Sequence, residues 1–240
     1  MSHLHPSWRA PAAALIALLM SACAGTAVQK RAYVPPTASP VTTQPVIVID
    51  KPFEVAWNDL VRRMTASQFK IRQVSKDSRV ISLDFEMPQS VGSDHYVDCG
   101  RISNTITWDG KTRTFDYSLA DSNYYEVVYV DNVGDHMWAE VKPSTRISGT
   151  VNVYMTPQGP QRTEMSVNTR YQIRRDFGEF QRFYYHPGFG RYAQFRPGTQ
   201  PPMEGVFTTQ TSVSFPIGDF SVRCVTTGFI ENTFLGFARD

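Results

Sequence analysis

The nearest approach to a catalytic cluster in this sequence is Asp94-His95 followed by Asp98-Cys99. A cysteine beside a histidine can act as a nucleophile, because the imidazole can remove the thiol proton. On a strand, however, a four-residue spacing puts His95 and Cys99 on one face about 13 Å apart. That distance is too long for direct proton transfer. We therefore predict no catalytic residue in this segment.

Metal and phosphate sites are the next chemistry to consider. Beyond residue 22 the histidines are His95, His136 and His186, which lie far apart and form no H-E-x-x-H pattern. Zinc sites are typically marked by closely spaced ligands. The sequence also contains no G-x-S-x-G motif and no P-loop. We predict no metal site and no cofactor.

A group of acidic residues around one tryptophan leaves a glycan-directed alternative open. Asp131, Asp135 and Glu140 flank Trp138, and paired carboxylates are the groups that glycosidic chemistry uses. In a chain with 22 acidic residues, the same grouping also arises in a polar loop that one tryptophan anchors. The sequence favours the polar loop, and with it a protein that is not an enzyme.

A cysteine near the N-terminus, Cys23, follows a short apolar run that is typical of a lipoprotein signal. Residues 15–23 read L-I-A-L-L-M-S-A-C, an apolar run that ends in two small residues and a cysteine. The apolar core is much shorter than the stretch of about 20 residues that spans a bilayer, so it is typical of a cleaved signal. We predict a lipoprotein signal over residues 1–22 and lipidation of Cys23. The alternative is a general signal peptide. Ala24 favours sorting to the outer membrane.

Two cysteines, Cys99 and Cys224, remain once Cys23 carries lipid. Exported proteins fold in an oxidising compartment, so we predict a Cys99–Cys224 disulfide. Such a bridge closes a long loop and stabilises a fold by about 4–5 kcal/mol in the chain-entropy model. The alternative is a free nucleophilic thiol.

Length and charge limit the remaining classes of function. Without residues 1–22 the chain has 218 residues with 23 basic and 22 acidic side chains, a formal charge of +1. A chain of this length can bury one substantial core. Nucleic-acid binding typically needs a concentrated basic surface, so the near-neutral charge and the export signal argue against a nucleic-acid partner.

The chain after the anchor divides into a tether and one domain. Residues 24–45 contain four prolines and few large apolar side chains, a composition that cannot build a core. We predict that residues 23–45 form the lipid anchor and a flexible tether, which would hold the domain clear of the lipid headgroups. Residues 46–240 are predicted to form a single periplasmic domain.

Two apolar stripes at helical spacing predict helices at residues 52–67 and 229–238. Period-two alternation predicts strands through the rest of the domain. One of these strands is residues 96–102, which contains Cys99, and the clearest hairpin turns at Asp109-Gly110. The predicted fold class is α+β: a twisted, mainly antiparallel sheet of seven to nine strands, packed by one N-terminal and one short C-terminal helix.

One segment, residues 174–205, breaks this alternation. It interleaves aromatic residues with arginines, and its glycines and prolines predict an irregular excursion. Such an excursion either packs its own aromatics or forms a contact surface, because aromatics and arginine dominate interface hot spots. The residues predicted to bind a partner are Phe183, Tyr184, Tyr185, Phe189, Arg191 and Tyr192.

Three groups of residues resemble a known family. They are the lipobox with its Pro/Thr segment, P-F-E-V-A-W-N-D-L-V-R-R-M leading to F-K-I-R-Q-V-S-K-D-S-R-V-I-S-L-D-F, and C-V-T-T-G-F-I-E-N near the end. The middle group resembles the repeating unit of BamC-like lipoproteins of the outer-membrane β-barrel assembly machinery. The resemblance covers about forty residues and implies a helix-grip α+β module. The cysteine pair and the excursion at residues 174–205 depart from that pattern.

Together these features predict a lipid-anchored periplasmic accessory or scaffold module of an outer-membrane envelope complex. Residues 174–205 would be its contact surface. Two alternatives stay open: a carrier or binder of a hydrophobic or glycan ligand, and a periplasmic enzyme. A carrier would need a hollow between helix and sheet, which Trp57, Leu83, Phe85 and Phe234 would fill if they packed together.

Overall fold

The computed structural model describes residues 28–37, 45–67, 69–87, 92–108, 111–121, 126–132, 135–184, 202–217 and 219–239. Within these ranges the chain forms thirteen strands, two α-helices and one short 3₁₀ helix. The helices are α1 (Phe53–Thr65) and α2 (Phe229–Arg239), and the 3₁₀ helix is Ser93–His95. The strands are β1 (Val28–Val34), β2 (Val46–Ile49), β3 (Lys70–Ser75), β4 (Val80–Glu86), β5 (Val97–Asp98), β6 (Arg101–Trp108), β7 (Lys111–Ser118), β8 (Glu126–Asn132), β9 (Asp135–Pro157), β10 (Thr163–Tyr184), β11 (Met203–Thr208), β12 (Val213–Ile217) and β13 (Phe220–Thr226).

The strands form three sheets, and every described pairing is antiparallel. The N-terminal sheet has the order β1-β6-β7. The central sheet has the order β11-β10-β9-β4-β3, with β2 paired to β10 and β8 paired to β9. The C-terminal sheet has the order β12-β13-β5. The α+β class is confirmed, and the seven strands of the central sheet agree with the expectation of a mainly antiparallel sheet of seven to nine strands. The two additional three-stranded sheets were not predicted.

Both predicted helices are confirmed, and each buries one apolar side. In α1 the buried residues are Ala56, Trp57, Leu60 and Met64. Their spacing of three to four residues places these side chains on one face of the helix. Glu54 in the first turn and two arginines in the last turn complement the helix dipole. In α2 the buried residues are Ile230, Glu231, Phe234 and Leu235.

The core lies between these helices and the inner face of the central sheet. Trp57, Leu83, Phe85 and Phe234 are all buried in one cluster with the inward residues of β9 and β10. Along β10 the buried residues alternate with more accessible ones from Met165 to Ile173. This period-two pattern is what a sheet with one covered face requires.

The hairpin predicted at Asp109-Gly110 is confirmed by its two strands. β6 pairs with β7 from Arg101–Ser118 through to Trp108–Lys111, so two residues connect them. Asp109 and Gly110 themselves lie outside the described residues. Ile102, Ile106 and Tyr117 are buried on the inner face of this sheet.

The strand predicted over residues 96–102 is wrong. A 3₁₀ helix ends at His95, β5 covers only Val97–Asp98, and β6 begins at Arg101. Cys99 and Gly100 lie between the two strands. Gly100 has φ of +77°, a left-handed conformation that interrupts a strand.

The flexible tether predicted over residues 23–45 is wrong where the chain forms β1. This strand pairs with β6 over its whole length, from Val28–Thr107 to Val34–Arg101. Its side chains alternate between exposed and half-buried, which is typical of an edge strand. The composition of residues 24–45 did not predict this strand, because an edge strand depends on backbone pairing with its neighbour more than on a long apolar run.

The irregular excursion predicted over residues 174–205 is wrong at both ends. β10 continues to Tyr184 and β11 begins at Met203. A register shift between Phe177 and Phe180 accommodates the intervening glycine as a β-bulge, so the ladder with β9 resumes beyond it. Residues 185–201 lie outside the described residues.

Candidate functional site

The predicted disulfide is confirmed and lies at the junction of the N-terminal and C-terminal sheets. Cys99 and Cys224 are bonded with a Cα–Cα distance of 4.0 Å, and both are buried. Cys99 follows β5 and Cys224 belongs to β13, so the bond joins parts of the chain 125 residues apart. The sulfur of Cys99 is therefore not available as a nucleophile.

The Tyr33 hydroxyl attaches β1 to this disulfide. It accepts a hydrogen bond from the backbone N–H of Arg223 at 3.0 Å. It lies 3.2 Å from the carbonyl oxygen of Cys99 and 3.4 Å from that of Arg223, either of which can accept its proton. Burial raises the pKa of Tyr33 above its ordinary value, and the hydrogen bond from Arg223 acts in the opposite direction. The protonated Tyr33 hydroxyl thus connects β1 to the backbone at both ends of the disulfide, at Cys99 and at Arg223 beside Cys224.

Gly100 permits this close approach. A Cβ at Gly100 would overlap the carbonyl oxygen of Val34 and would lie 2.9 Å from the Tyr33 ring. The backbone N–H of Gly100 also donates to the carboxylate of Asp98 at 2.8 Å. A residue without a side chain is therefore needed where β1 crosses the segment that carries Cys99.

This attachment determines how far the folded domain can lie from the predicted anchor. Cys23 lies outside the described residues, and only four residues separate it from Val28 at the start of β1. At no more than about 3.6 Å per residue, the two Cα atoms are at most about 18 Å apart. A lipid on Cys23 would keep the N-terminal sheet near the headgroups, contrary to the expectation that a long tether holds the domain away.

The histidine–cysteine candidate is not assembled into a catalytic pair. The His95 ring packs against Phe229, with ring centroids 4.1 Å apart, and its carbonyl accepts a hydrogen bond from the Thr227 hydroxyl. The Asp98 carboxylate is bound by Gly100. The contacts of His95 join the 3₁₀ helix to the start of α2, whereas the Asp98 hydrogen bond stays within the segment that carries Cys99.

The second feature with functional potential is an extension of the central sheet. We define the arm as β8 together with residues 135–144 of β9 and 176–184 of β10. Over these residues β9 pairs with β8 on one side and β10 on the other. At about 3.3 Å per residue, the nine residues of β10 that belong to the arm span about 30 Å along the strand.

Aromatic and apolar residues occupy adjacent register positions at the end of the arm. Tyr129, Trp138 and Phe183 form one row of directly paired residues. Val130, Met137 and Tyr184 form the next row. Of the residues predicted to bind a partner, Phe183 and Tyr184 therefore lie at the end of β10. The others, Tyr185, Phe189, Arg191 and Tyr192, lie outside the described residues.

Charged side chains hold the base of the arm. Arg174 forms ion pairs with Asp176 and with Glu204 of β11. Arg175 is buried, and its guanidinium donates to the carbonyl of Leu119 and to the hydroxyl of Thr145. These contacts bind β10 to its neighbours where the arm begins.

The acidic candidates also fall on the arm. Asp131 pairs with His136 and Asp135 pairs with Asn132 where β8 meets β9. Glu140 pairs with Val127, two residues along β9 from Trp138. Asp131, Asp135 and Glu140 are thus on strands rather than in the loop that the sequence predicted.

A buried polar cluster that the sequence did not predict lies beneath α2. The hydroxyl of Tyr171 donates to the Glu231 carboxylate at 2.8 and 3.0 Å, and the hydroxyl of Thr209 donates to it at 2.7 Å. Thr226 donates to the Tyr171 oxygen at 2.9 Å. Burial and the adjacent Glu231 raise the pKa of Tyr171 far above its ordinary value. The signal that could have indicated the cluster is Glu231 three residues after Gly228, the N3 position of a helix.

The described residues contain no group of three His, Cys, Asp or Glu side chains arranged to hold a metal ion. Among the same residues, no helix is long and apolar enough to cross a membrane. Comparisons of the chain with protein-family models, with curated proteins and with solved structures give no match. The resemblance to BamC-like lipoproteins therefore remains a hypothesis based on residue patterns.

Proposed function

We propose that this protein is a lipid-anchored periplasmic accessory or scaffold module of an outer-membrane envelope complex. Cys23 carries the lipid, the domain faces the periplasm, and the arm is the contact surface for a protein partner. The role involves no cofactor, catalytic residue or nucleic acid.

The observation that carries the binding role is the arm. It consists of three paired strands, and its terminal rows combine Tyr129, Trp138 and Phe183 with Val130 and Met137. Aromatic residues and methionine are enriched at protein interfaces, where they supply large apolar contact areas. The lipobox and the short connection from Cys23 to β1 support a position at the membrane surface.

Site-specific photo-cross-linking in intact cells tests this role. A photoreactive amino acid at Trp138 or Phe183 should give a discrete cross-linked product. The same amino acid at Tyr154, which is exposed on the outer face of the central sheet, should give none. The product should disappear when Cys23→Ser removes the anchor. Equal products at all three positions, or no product from the arm, would contradict the proposal.

A second experiment uses the predicted contact residues directly. The triple replacement Tyr184→Ala, Tyr185→Ala and Arg191→Ala should leave the fold intact and abolish co-purification of the cross-linked partner. Circular dichroism and retention of the Cys99–Cys224 bond would establish folding. Undiminished recovery of the same partner would count against these residues as its binding site.

The carrier alternative has less support from the core. A hydrophobic ligand would need a hollow between helix and sheet, and that space is occupied by Trp57, Leu83, Phe85 and Phe234. Elsewhere in the described part of the chain, a small depression between α1 and α2 is lined partly by the charged residues Lys51, Asp59 and Arg63. A charged lining does not suit an apolar ligand.

A further inference from the structure

β8 is the edge strand of the arm. Its residues from Glu126 to Asn132 pair with β9 in one continuous register. No strand among the described residues pairs with the other edge of β8. An edge strand presents a row of backbone N–H and C=O groups with which another chain can pair. β8 is therefore a place where a further strand can be added to the sheet.

The other strands at sheet edges have features that discourage pairing with another chain. Lysine, arginine, proline, glycine, a β-bulge or a very short strand each has this effect. Lysine and arginine are present in β1, β3 and β7, Pro216 lies in β12 and Gly205 lies in β11. β2 and β5 contain only four and two residues, and β10 has a bulge between Phe177 and Phe180 in the arm. These edges are poorly suited to strand addition.

β8 has none of these features. Its sequence is E-V-V-Y-V-D-N, in which residues 127–130 are consecutive valines and a tyrosine. Valine and tyrosine have high strand propensity, and such a run without proline or glycine pairs readily with another chain. The charges of β8 are two carboxylates, Glu126 and Asp131, one on each side of this run. The edge of β8 is thus suited to pairing over its uncharged centre.

The charge of the arm indicates what kind of strand fits there. The arm contains two basic residues, Lys142 and Arg182, and six acidic ones, a formal charge of −4, although the whole chain has a formal charge of +2. The acidic residues are Glu126, Asp131, Asp135, Glu140, Asp176 and Glu179. Asp176 is paired with Arg174 at the base of the arm. Opposite charges on directly paired residues of neighbouring strands stabilise a sheet, so a basic segment complements this edge.

We propose that the free edge of β8 binds the envelope partner by strand addition, with an extended, basic segment of the partner protein as the added strand. This inference rests on the proposed function, in which the arm is the contact surface, and it names the segment that the arm accepts. Backbone hydrogen bonds to β8 hold the segment in place. Lysine or arginine residues on either side of its uncharged centre pair with Glu126 and Asp131.

Amide hydrogen exchange tests strand addition, with the full-length lipidated protein measured in isolated outer membranes and as a purified monomer in detergent. In an antiparallel ladder every second residue directs its N–H toward a given neighbour. Strand addition should therefore slow exchange several-fold at alternate amides of β8 in the membrane sample. The edge strand β3 (Lys70–Ser75) is the control and should exchange equally in both samples.

The outcomes separate this inference from the proposed function. Unchanged exchange in β8, together with a cross-linked product from Trp138 or Phe183, would overturn strand addition and leave the arm as the contact surface. Absence of both would contradict the proposed function as well. Alternate protection already present in the purified monomer would show that the chain covers its own edge. Protection that appears in the purified protein only as its concentration rises would identify a second copy as the occupant. Either result would overturn the proposal of a partner segment.

A double charge reversal with a matched control tests the basic character of the segment. Glu126→Lys combined with Asp131→Lys should remove the alternate protection of β8 in outer membranes, because both ends of the added strand would meet like charge. Asp77→Lys combined with Asp94→Lys makes the same change in charge at two exposed positions outside the arm and should leave the protection unchanged. An intact disulfide and an unchanged circular dichroism spectrum establish folding of both variants. Full protection in the variant of β8 would contradict a basic partner segment.

Discussion

The hydroxyl oxygen of Tyr33 accepts a hydrogen bond from the backbone nitrogen of Arg223 at 3.0 Å, across 190 residues of sequence. Arg223 immediately precedes Cys224, and the same hydroxyl lies 3.2 Å from the carbonyl of its disulfide partner Cys99. The first strand is therefore attached to the backbone on both sides of the disulfide. A force or a lipid acting at Cys23 would reach the core through this contact.

Tyr33→Phe should release β1 while leaving the rest of the fold in place. Removal of the hydroxyl leaves the Arg223 N–H and the Cys99 carbonyl without this partner, so we expect a loss of about 1–2 kcal/mol in the free energy of unfolding. Urea denaturation and proteolysis near residues 28–37 measure the two effects. The matched control is Tyr154→Phe at an exposed tyrosine, which should change stability by less than about 0.5 kcal/mol. Equal effects of the two changes would refute the attachment.

Gly100→Ala should be more destabilising than the same change at Gly159. Both glycines have positive φ, +77° and +113°, so both variants incur a backbone cost of about 1–2 kcal/mol. A Cβ at Gly159 meets no atom within 4 Å, whereas at Gly100 it overlaps the Val34 carbonyl. We expect Gly100→Ala to lose about 1–3 kcal/mol more, measured by denaturation. Indistinguishable losses would show that β1 does not press on Gly100.

The double replacement Cys99→Ala and Cys224→Ala should lower the free energy of unfolding by about 4–5 kcal/mol, because the bridge closes a loop of 125 residues. Urea denaturation with and without reductant measures this loss. Cys23→Ser is the control and should leave the stability of the domain unchanged. Thiol titration of the unreduced, denatured, lipidated protein should detect no free sulfhydryl. One or two free thiols would contradict the pairing.

Alkaline pH should destabilise the protein through Tyr171. Its pKa is raised in the folded state by burial and by Glu231, whereas an exposed tyrosine in the unfolded chain titrates near pH 10. The stability associated with the protonated hydroxyl is fully present below about pH 10. It decreases above that pH by about 1.4 kcal/mol per unit, because only the unfolded state releases the proton.

Tyr171→Phe should remove this part of the slope, whereas Tyr154→Phe should retain it. Denaturation at several pH values between about 9 and 12 measures the slope for each variant. Absorbance of tyrosinate provides a second readout, since Tyr171 should ionise only as the protein unfolds. An unchanged slope in Tyr171→Phe would contradict a buried, protonated Tyr171.

Local patterns were sufficient to predict the helices, the β6–β7 hairpin and the disulfide. The stripe of Trp57, Leu60 and Met64 has a helical period, and the cysteine pairing follows from the prediction that the protein is exported to an oxidising compartment. These features depend on neighbouring residues or on cysteine chemistry, so they are visible in one sequence.

Features that depend on distant contacts could not be predicted. β1 is a strand because β6 pairs with it and because Tyr33 reaches Arg223, neither of which leaves an apolar pattern. The N3 position of Glu231 indicates a polar contact near the start of α2, but it does not identify Tyr171 and Thr209 as the partners. The part of the arm that belongs to β10 was missed because its aromatic and arginine content is typical of a loop surface, although pairing with β9 makes it a strand.

The central claim, that the protein is held at the membrane through Cys23, is tested most directly by mass spectrometry of the N-terminal peptide of protein isolated from bacterial membranes. We predict that the chain begins at Cys23 and that this residue carries a diacylglyceryl group on sulfur. Cys23→Ser should remove both the cleavage and the lipid mass. An N-terminal peptide that begins at an unmodified Cys23, or at any other residue, would contradict the account.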